Sequence, residues 1–149
     1  MAFFTSEYTG KLDAKGRLVL PARMKANLPV TSANELFMRE GFEPCLELYP
    51  LLEYKKIYSK IVGLNEFNAE NRKLQRNFFR GSIAVELDSA GRLLIPKTML
   101  VYAGLDKEIV VVGMGNRMEI WNPKEYDKYL IKDPQELSDL AEKHLTDNG

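Results

Sequence analysis

Apolar stretches and turn signals alternate along this chain, and the same order occurs twice. Tyr8 and Leu12 in YTGKL lie four positions apart, and Ile83, Val85 and Leu87 in SIAVEL lie two apart. That is the period of a strand with one buried face. Each stretch runs into Asp-x-x-Gly: Asp13 to Gly16, then Asp88 to Gly91. Aspartate first and glycine fourth suit a type I β-turn. RLVLP and RLLIP follow, rich in branched apolar residues, and predict a second strand. Pro21 and Pro96 end those strands, because proline has no N–H for a ladder, and they suit the first turn of a helix. The helix after Pro96 is expected to stop at Gly104. Apolar strands come next, FEPCLELY in the first half and EIVVVGMGNRMEIW in the second. Each unit thus reads strand, turn, strand, short helix, one or two further strands, then a helix.

Helical spacing appears between the halves. Leu51, Tyr54, Tyr58 and Ile61 follow a 3-4-3 pattern. Leu64, Phe67, Asn71, Leu74 and Phe78 repeat it, apart from the polar Asn71. Two helices broken near Gly63 are predicted, tying the halves together without a flexible linker. Asn122-Pro-Lys-Glu125 and Asp133-Pro-Gln-Glu136 each place a cap residue before a proline and follow it with a glutamate. Both are helix starts, the second leading into Leu137, Leu140 and Leu145.

The recurrence survives direct alignment. Shifted by 75 positions, residues 12–24 match 87–99 at seven of thirteen places, including Asp13/Asp88, Gly16/Gly91 and Arg17/Arg92. At an offset of 72, CLELYPLLEY (45–54) matches RMEIWNPKEY (117–126), pairing Glu47 with Glu119 and Tyr54 with Tyr126. Two matched blocks in one order mean a duplicated unit. Two copies are too few for a solenoid. The expected architecture is one pseudo-two-fold domain over 1–149 in which each half completes the other's core. It comprises a first repeat over 7–54, connecting helices over 55–82, a second repeat over 83–126, and an acidic helix and tail over 127–149.

Charge changes the picture only locally. The chain of 149 residues is formally neutral, with 21 basic and 21 acidic residues. Neutrality argues against coating nucleic acid by bulk charge. Residues 11–25, however, hold Lys11, Lys15, Arg17, Arg23 and Lys25 against Asp13 alone. A second cluster, Arg72, Lys73, Arg76 and Arg80, opposes Glu70, and residues 133–149 are acidic. No apolar run approaches the roughly 20 residues of a membrane span. The start MAFFTSEYTGKLD lacks a basic leader, and Cys45 is the single cysteine. A cytoplasmic protein without disulfides is expected.

Asp-x-x-Gly-Arg, an apolar run and proline, between a strand and a short helix, resembles the AbrB/SpoVT group of bacterial DNA-binding proteins. Two copies in this length, with the start FFTSEYTGKLDAKGRLVLPARMK and a Tyr- or Trp-containing strand before each closing helix, resemble the MraZ family over nearly the whole chain. The resemblance implies a mainly β fold with packed helices (α+β), a swapped-hairpin AbrB-like double-split barrel built from the two repeats. It implies a transcriptional regulator encoded in the bacterial division and cell-wall cluster. Such a regulator binds repeated boxes upstream of its own gene, usually as a repressor, lies in the nucleoid and forms a ring. The family ties the first-repeat arginine to DNA, a role that falls on Arg17; Arg92 matches it in the second repeat.

Each candidate has a plainer alternative. An arginine four positions after a turn aspartate is also a salt-bridge partner. For Asp13 and Asp88 that reading is preferred, since phosphate repels a carboxylate; Gly16 and Gly91 belong to the same structural motif. Arg17 is assigned to DNA because Lys11, Lys15, Arg23 and Lys25 surround it in sequence. The second repeat has Glu86, Ala90, Thr98 and Leu100 at those places, so Arg92 is read as structural. At a hairpin tip, Arg17 would bond a guanine edge, contributing about 1–3 kcal/mol of discrimination. The lysines would supply phosphate contacts and salt dependence. The Arg72 cluster reads as a solvated helix face. Phe67, Phe78, Phe79, Tyr126 and Tyr129 read as core or subunit interface.

Other function classes fit less well. His144 is the lone histidine, and neither metal-ligand spacing nor a phosphate-binding glycine loop is present in the sequence. An acid/base pair of Asp13 and Asp88 would suffer from the basic residues around one of them. No enzyme, cofactor, metal or small-molecule substrate is therefore expected; the expected partners are double-stranded DNA and further copies of the chain. An AbrB-like antitoxin and a protein–protein scaffold without DNA binding remain the alternatives.

Overall fold

The computed structural model describes residues 3–29 and 35–146. Residues 30–34 of the first repeat and Asp147 of the acidic tail lie outside them. The first half forms β1 (Glu7–Lys11), β2 (Arg17–Val19), α1 (Ala22–Ala26), β3 (Leu36–Glu40), β4 (Leu46–Pro50) and α2 (Leu51–Val62). After α3 (Ala69–Arg80) the order returns as β5 (Ser82–Val85), β6 (Arg92–Leu94), α4 (Lys97–Tyr102), β7 (Glu108–Gly113), β8 (Met118–Trp121) and α5 (Pro123–Asp127); α6 (Pro134–Leu145) closes the described chain. The fold is α+β, as the family resemblance implies.

Strand pairing shows how the halves depend on each other. One antiparallel sheet runs β1-β7-β8-β4-β3-β5, and a separate antiparallel ribbon pairs β2 with β6. Strand β1 leaves its own half to pair with β7 of the other, and β5 makes the reciprocal move onto β3. The halves meet where β4 pairs β8, with Glu47 opposite Glu119. These residues match each other in the duplication, so the pseudo-two-fold axis passes between them.

Alternation along each strand separates two layers of core. Met38, Leu46, Leu48, Ile109, Val111, Met118 and Ile120 face Leu18 and Leu93 of the ribbon, Met24 of α1 and Met99 of α4. Each such side chain contributes roughly 1.5–3 kcal/mol by leaving water. Beneath α2 and α3, Tyr49, Tyr54, Ile61 and Phe78 form a smaller cluster on the sheet's other face. The polar members of β4 and β8 share that face. Arg39 donates to Glu47 at 2.7 Å, Tyr49 donates to the same carboxylate at 2.6 Å, and Trp121 donates to Glu119 at 2.9 Å. All of these groups are buried, so each hydrogen bond offsets a desolvation cost. Burial still pushes the Glu119 carboxyl above its ordinary range.

Three readings need revision. The second connecting helix starts at Ala69, so Leu64 and Phe67 precede it. Asn68 caps it by accepting from the backbone of Glu70 and Asn71, while the Asn65 side chain accepts from Phe67 N–H. Asparagine side chains here take over backbone donors that a longer helix would use. Phe67 is 88% exposed and does not join the core of this chain. Earlier in the chain, Phe42 lies in the turn before β4, so that strand begins only at Leu46, and a separate β3 precedes it. Helix α4 ends before Ala103 and Gly104, whose φ of +60° is the left-handed stop expected there. Asn122 and Asp133 cap α5 and α6.

Candidate nucleic-acid interface

The two Asp-x-x-Gly-Arg turns carry the same hydrogen bonds, with corresponding lengths agreeing to within 0.1 Å. In the first, Gly16 N–H donates to the Asp13 carbonyl at 3.0 Å, and Asp13 N–H donates to the Arg17 carbonyl at 3.0 Å. The Asp13 carboxylate accepts from Lys15 N–H and Arg17 N–H, each at 2.9 Å, and from Arg17 Nε at 2.7 Å. The second turn repeats this on Asp88, which accepts from Ala90 N–H at 2.9 Å, Arg92 N–H at 2.8 Å and Arg92 Nε at 2.7 Å. Only glycine takes φ values of +80° at Gly16 and +75° at Gly91 without strain.

These bonds explain both aspartates. Each carboxylate is held below its ordinary value of 3.8, chiefly by the backbone N–H of the arginine that follows it. The turn itself does this, so Asp88 shows it without the lysines that surround Asp13 in sequence. The two turns lie at opposite ends of the β2–β6 ribbon, so each aspartate is bonded within its own turn and not to the other. Both arginines are orienting and oriented groups. Each uses Nε on its aspartate, and neither donates from its terminal nitrogens to any group among the described residues.

Ribbon register decides which side chains share a surface. Arg17 pairs with Leu94 and Val19 with Arg92, around a central Leu18–Leu93 pair. Leu18 and Leu93 point into the core, so the pleat turns Arg17, Val19, Arg92 and Leu94 outward together. Val19 and Leu94 are 59% and 57% exposed. From strand spacing and rise, the two arginine Cα atoms lie about 8 Å apart. Arg17 is therefore not at the hairpin tip, where Lys15 sits. It stands at the foot of the turn on the ribbon face, beside Arg92.

The exchange of strands divides the first-repeat basic residues. Lys11, Lys15 and Arg17 stay at the first turn. Lys107 joins them, its carbonyl accepting from Leu12 N–H at 2.8 Å. The N–H of Ile95 donates to the Gly16 carbonyl at 3.0 Å, bringing Leu100 of α4 against this turn. Reciprocally, Leu20 N–H donates to the Gly91 carbonyl at 3.2 Å, which brings α1 to the second turn. A methyl group on Gly91 would come within 3.0 Å of Lys25 Nζ. Arg23 faces elsewhere, lining a small cavity with Phe4, Ser6 and Tyr8. Sequence spacing misses Arg92 and Lys107 as members of this surface, and only the duplication hints that Arg92 shares it.

No metal-binding group of three or more ligands occurs among the described residues, and no helix there is long and apolar enough to cross a membrane. The family model for the MraZ protein, described as antitoxin-like, matches residues 3–77 and again 78–148. The chain is 59% identical to a transcriptional regulator MraZ from Cytophaga hutchinsonii over 97% of its own length and 96% of that relative. It is 40% identical to a transcriptional regulator MraZ from Christiangramia forsetii, over 91% of this chain and 88% of the relative. For the protein of the same name from Desulforamulus reducens the identity is 37%, over 93% and 95%. With the family pattern matched twice in succession, and whole-length relatives at these identities, the chain belongs to the MraZ family.

Proposed function

We propose that this protein is a sequence-specific, DNA-binding transcriptional regulator of the bacterial division and cell-wall gene cluster. It binds repeated boxes upstream of its own gene as a repressor, works in the cytoplasm at the nucleoid, and presents its DNA-binding ribbons from a ring of identical copies. The two repeats, 7–54 and 83–126, act as one DNA-binding unit. The observation that carries this reading is the outward ribbon face with Arg17 and Arg92 side by side.

A two-stranded ribbon fits a major groove about 12 Å wide. Asp13 and Asp88 hold the two guanidinium groups in place through Nε, leaving their terminal nitrogens for guanine O6 and N7. Val19 and Leu94 suit thymine methyl groups. Lys15 and Lys11 at one end, and Lys25 at the other, serve phosphates. Arg23, turned away from the ribbon, is a weaker contributor. One protomer offers few cations, so several copies on tandem boxes raise the effective concentration.

Fluorescence anisotropy with the DNA upstream of this gene tests the reading, comparing wild type, Arg17→Glu and scrambled DNA at two salt concentrations. Tight, selective, salt-sensitive binding that the variant loses while staying folded is the expected result. Equal binding to scrambled DNA by a folded oligomer would overturn it in favour of a protein–protein scaffold.

A further inference from the structure

We propose that α6 of one copy docks into the groove between α2 and α3 of a second copy, head to tail. The inference rests on the oligomer part of the proposed function and names the surfaces that would make it.

Helix α6 has no buried residue in its own chain. Its apolar side chains nevertheless form one stripe, with Leu137, Leu140, Ala141 and Leu145 at i, i+3, i+4 and i+8. Leu137 is 59% exposed and Leu145 71%. An isolated helix of 12 residues is marginal in water, even with the Asp133 cap and Pro134 that start this one. A stripe of this kind matches helix-in-groove recognition.

The groove is elsewhere on the same chain. Phe37, Leu51, Tyr54, Tyr58 and Phe79 line an open, mainly apolar cavity of about 360 Å³, with Lys55 at its edge. Tyr58 and Phe79 are in ring contact at 5.6 Å, yet Tyr58 is 43% exposed. Arg72 and Arg76 lie on the same stripe of α3 as Phe79, seven and three positions before it.

Charge selects the occupant. Residues 51–80 carry seven basic and three acidic side chains. Residues 133–146 carry Asp133, Glu136, Asp139 and Glu142 against Lys143. Glu136 and Glu142 flank the leucine stripe on either side, where they would meet Lys55, Arg72 and Arg76. Two copies of α6 would repel each other instead. Donor and acceptor are different surfaces, so the contact is heterologous and propagates until rotation closes a ring.

Light scattering on the full-length protein tests this with two variants. Leu137→Glu/Leu140→Glu removes the donor stripe, and Lys55→Glu/Arg76→Glu reverses the groove rim. All four positions are solvent-exposed, so circular dichroism should show both variants folded. We expect an assembled wild type and at least tenfold weaker association for each variant alone. An equimolar mixture should give a two-chain species, because one intact donor and one intact acceptor remain. An assembled wild type whose mass the leucine variant retains would overturn the docking and leave the oligomer reading standing. The same holds if the rim variant stays assembled while the leucine variant does not, since α6 would then have another partner. A monomeric wild type would remove the oligomer reading itself.

Discussion

The turns at Asp13 and Asp88 are near copies in backbone and hydrogen bonding but differ in what packs on them. Leu100 of the second repeat covers Gly16, while Lys25 of the first repeat reaches Gly91. Each turn is therefore furnished by the other half's helix. Arg17 and Lys25, only eight positions apart in sequence, serve opposite ends of the ribbon. Residues 75 positions apart, Arg17 and Arg92, share one face. In a strand-exchanged duplication, the surface of a repeat cannot be read from that repeat alone.

Breaking both arginines should have the largest effect. Arg17→Glu/Arg92→Glu is expected to abolish selective operator binding, with more than a hundredfold loss of affinity. Each arginine replaced singly by alanine should cost roughly 5- to 150-fold, following about 1–3 kcal/mol per bidentate contact. Unchanged binding by Arg92→Ala in an anisotropy titration would restore the asymmetric view, in which the first repeat alone meets DNA.

The glycines sharpen the comparison at the level of stability. Alanine in the left-handed region costs about 1–2 kcal/mol. At Gly16 its methyl group also meets Leu100 Cδ1 at 3.2 Å, whereas at Gly91 it meets the movable end of Lys25. Thermal melts should show Gly16→Ala falling further than Gly91→Ala, each by a few degrees. The reverse order would mean that Lys25 is held rigidly over its turn.

Smaller effects separate the cations. Lys15→Ala and Lys25→Ala should each reduce the slope of log K against log salt by about 1, and Arg23→Ala should leave it nearly unchanged. An Arg23 effect as large as that of Lys25 would contradict the division of the basic strip.

Acid should treat the turns equally. Both aspartates have folded values depressed below 3.8. Their contribution to stability is present above 3.8 and fades as pH falls through the lower folded values. Asp13→Asn and Asp88→Asn should each narrow the difference in Tm between pH 7 and pH 3 by a similar small amount. A large difference between them would show that the lysines near Asp13, and not the shared turn, set its acidity.

Much of the local structure was legible from residue order. The Asp and Gly of each turn, the prolines that end β2 and β6, and the Asn122 and Asp133 caps act within four positions. Legibility failed where a distant partner or a competing side chain intervened. Asn65 and Asn68 shortened α3 by binding the backbone that the Leu64–Phe67 spacing assigned to helix. Nothing within a few positions marks Glu47 and Arg39 as buried; they are buried because each satisfies the other beneath α2 and α3. In the candidate site, Arg17 and the two aspartates are marked by their motif, and Lys15 by the local excess of basic residues. The place of Arg92 on the same face, and of Lys25 at the opposite turn, was not.

Residue order alone specifies the duplication, the two turns and their arginine–aspartate pairs, and most helix ends. Hydrogen bonds spanning a few residues dictate these, and the residue types that make them are specific. Long-range packing sets which edges β1 and β5 join, brings Arg17 and Arg92 onto one face, and leaves α6 uncovered. A strand's alternating pattern says which face is buried, while its edge offers the same N–H and C=O groups to every partner. The choice among partners falls to the shared core, where Leu18 and Leu93 must meet the sheet from both repeats at once.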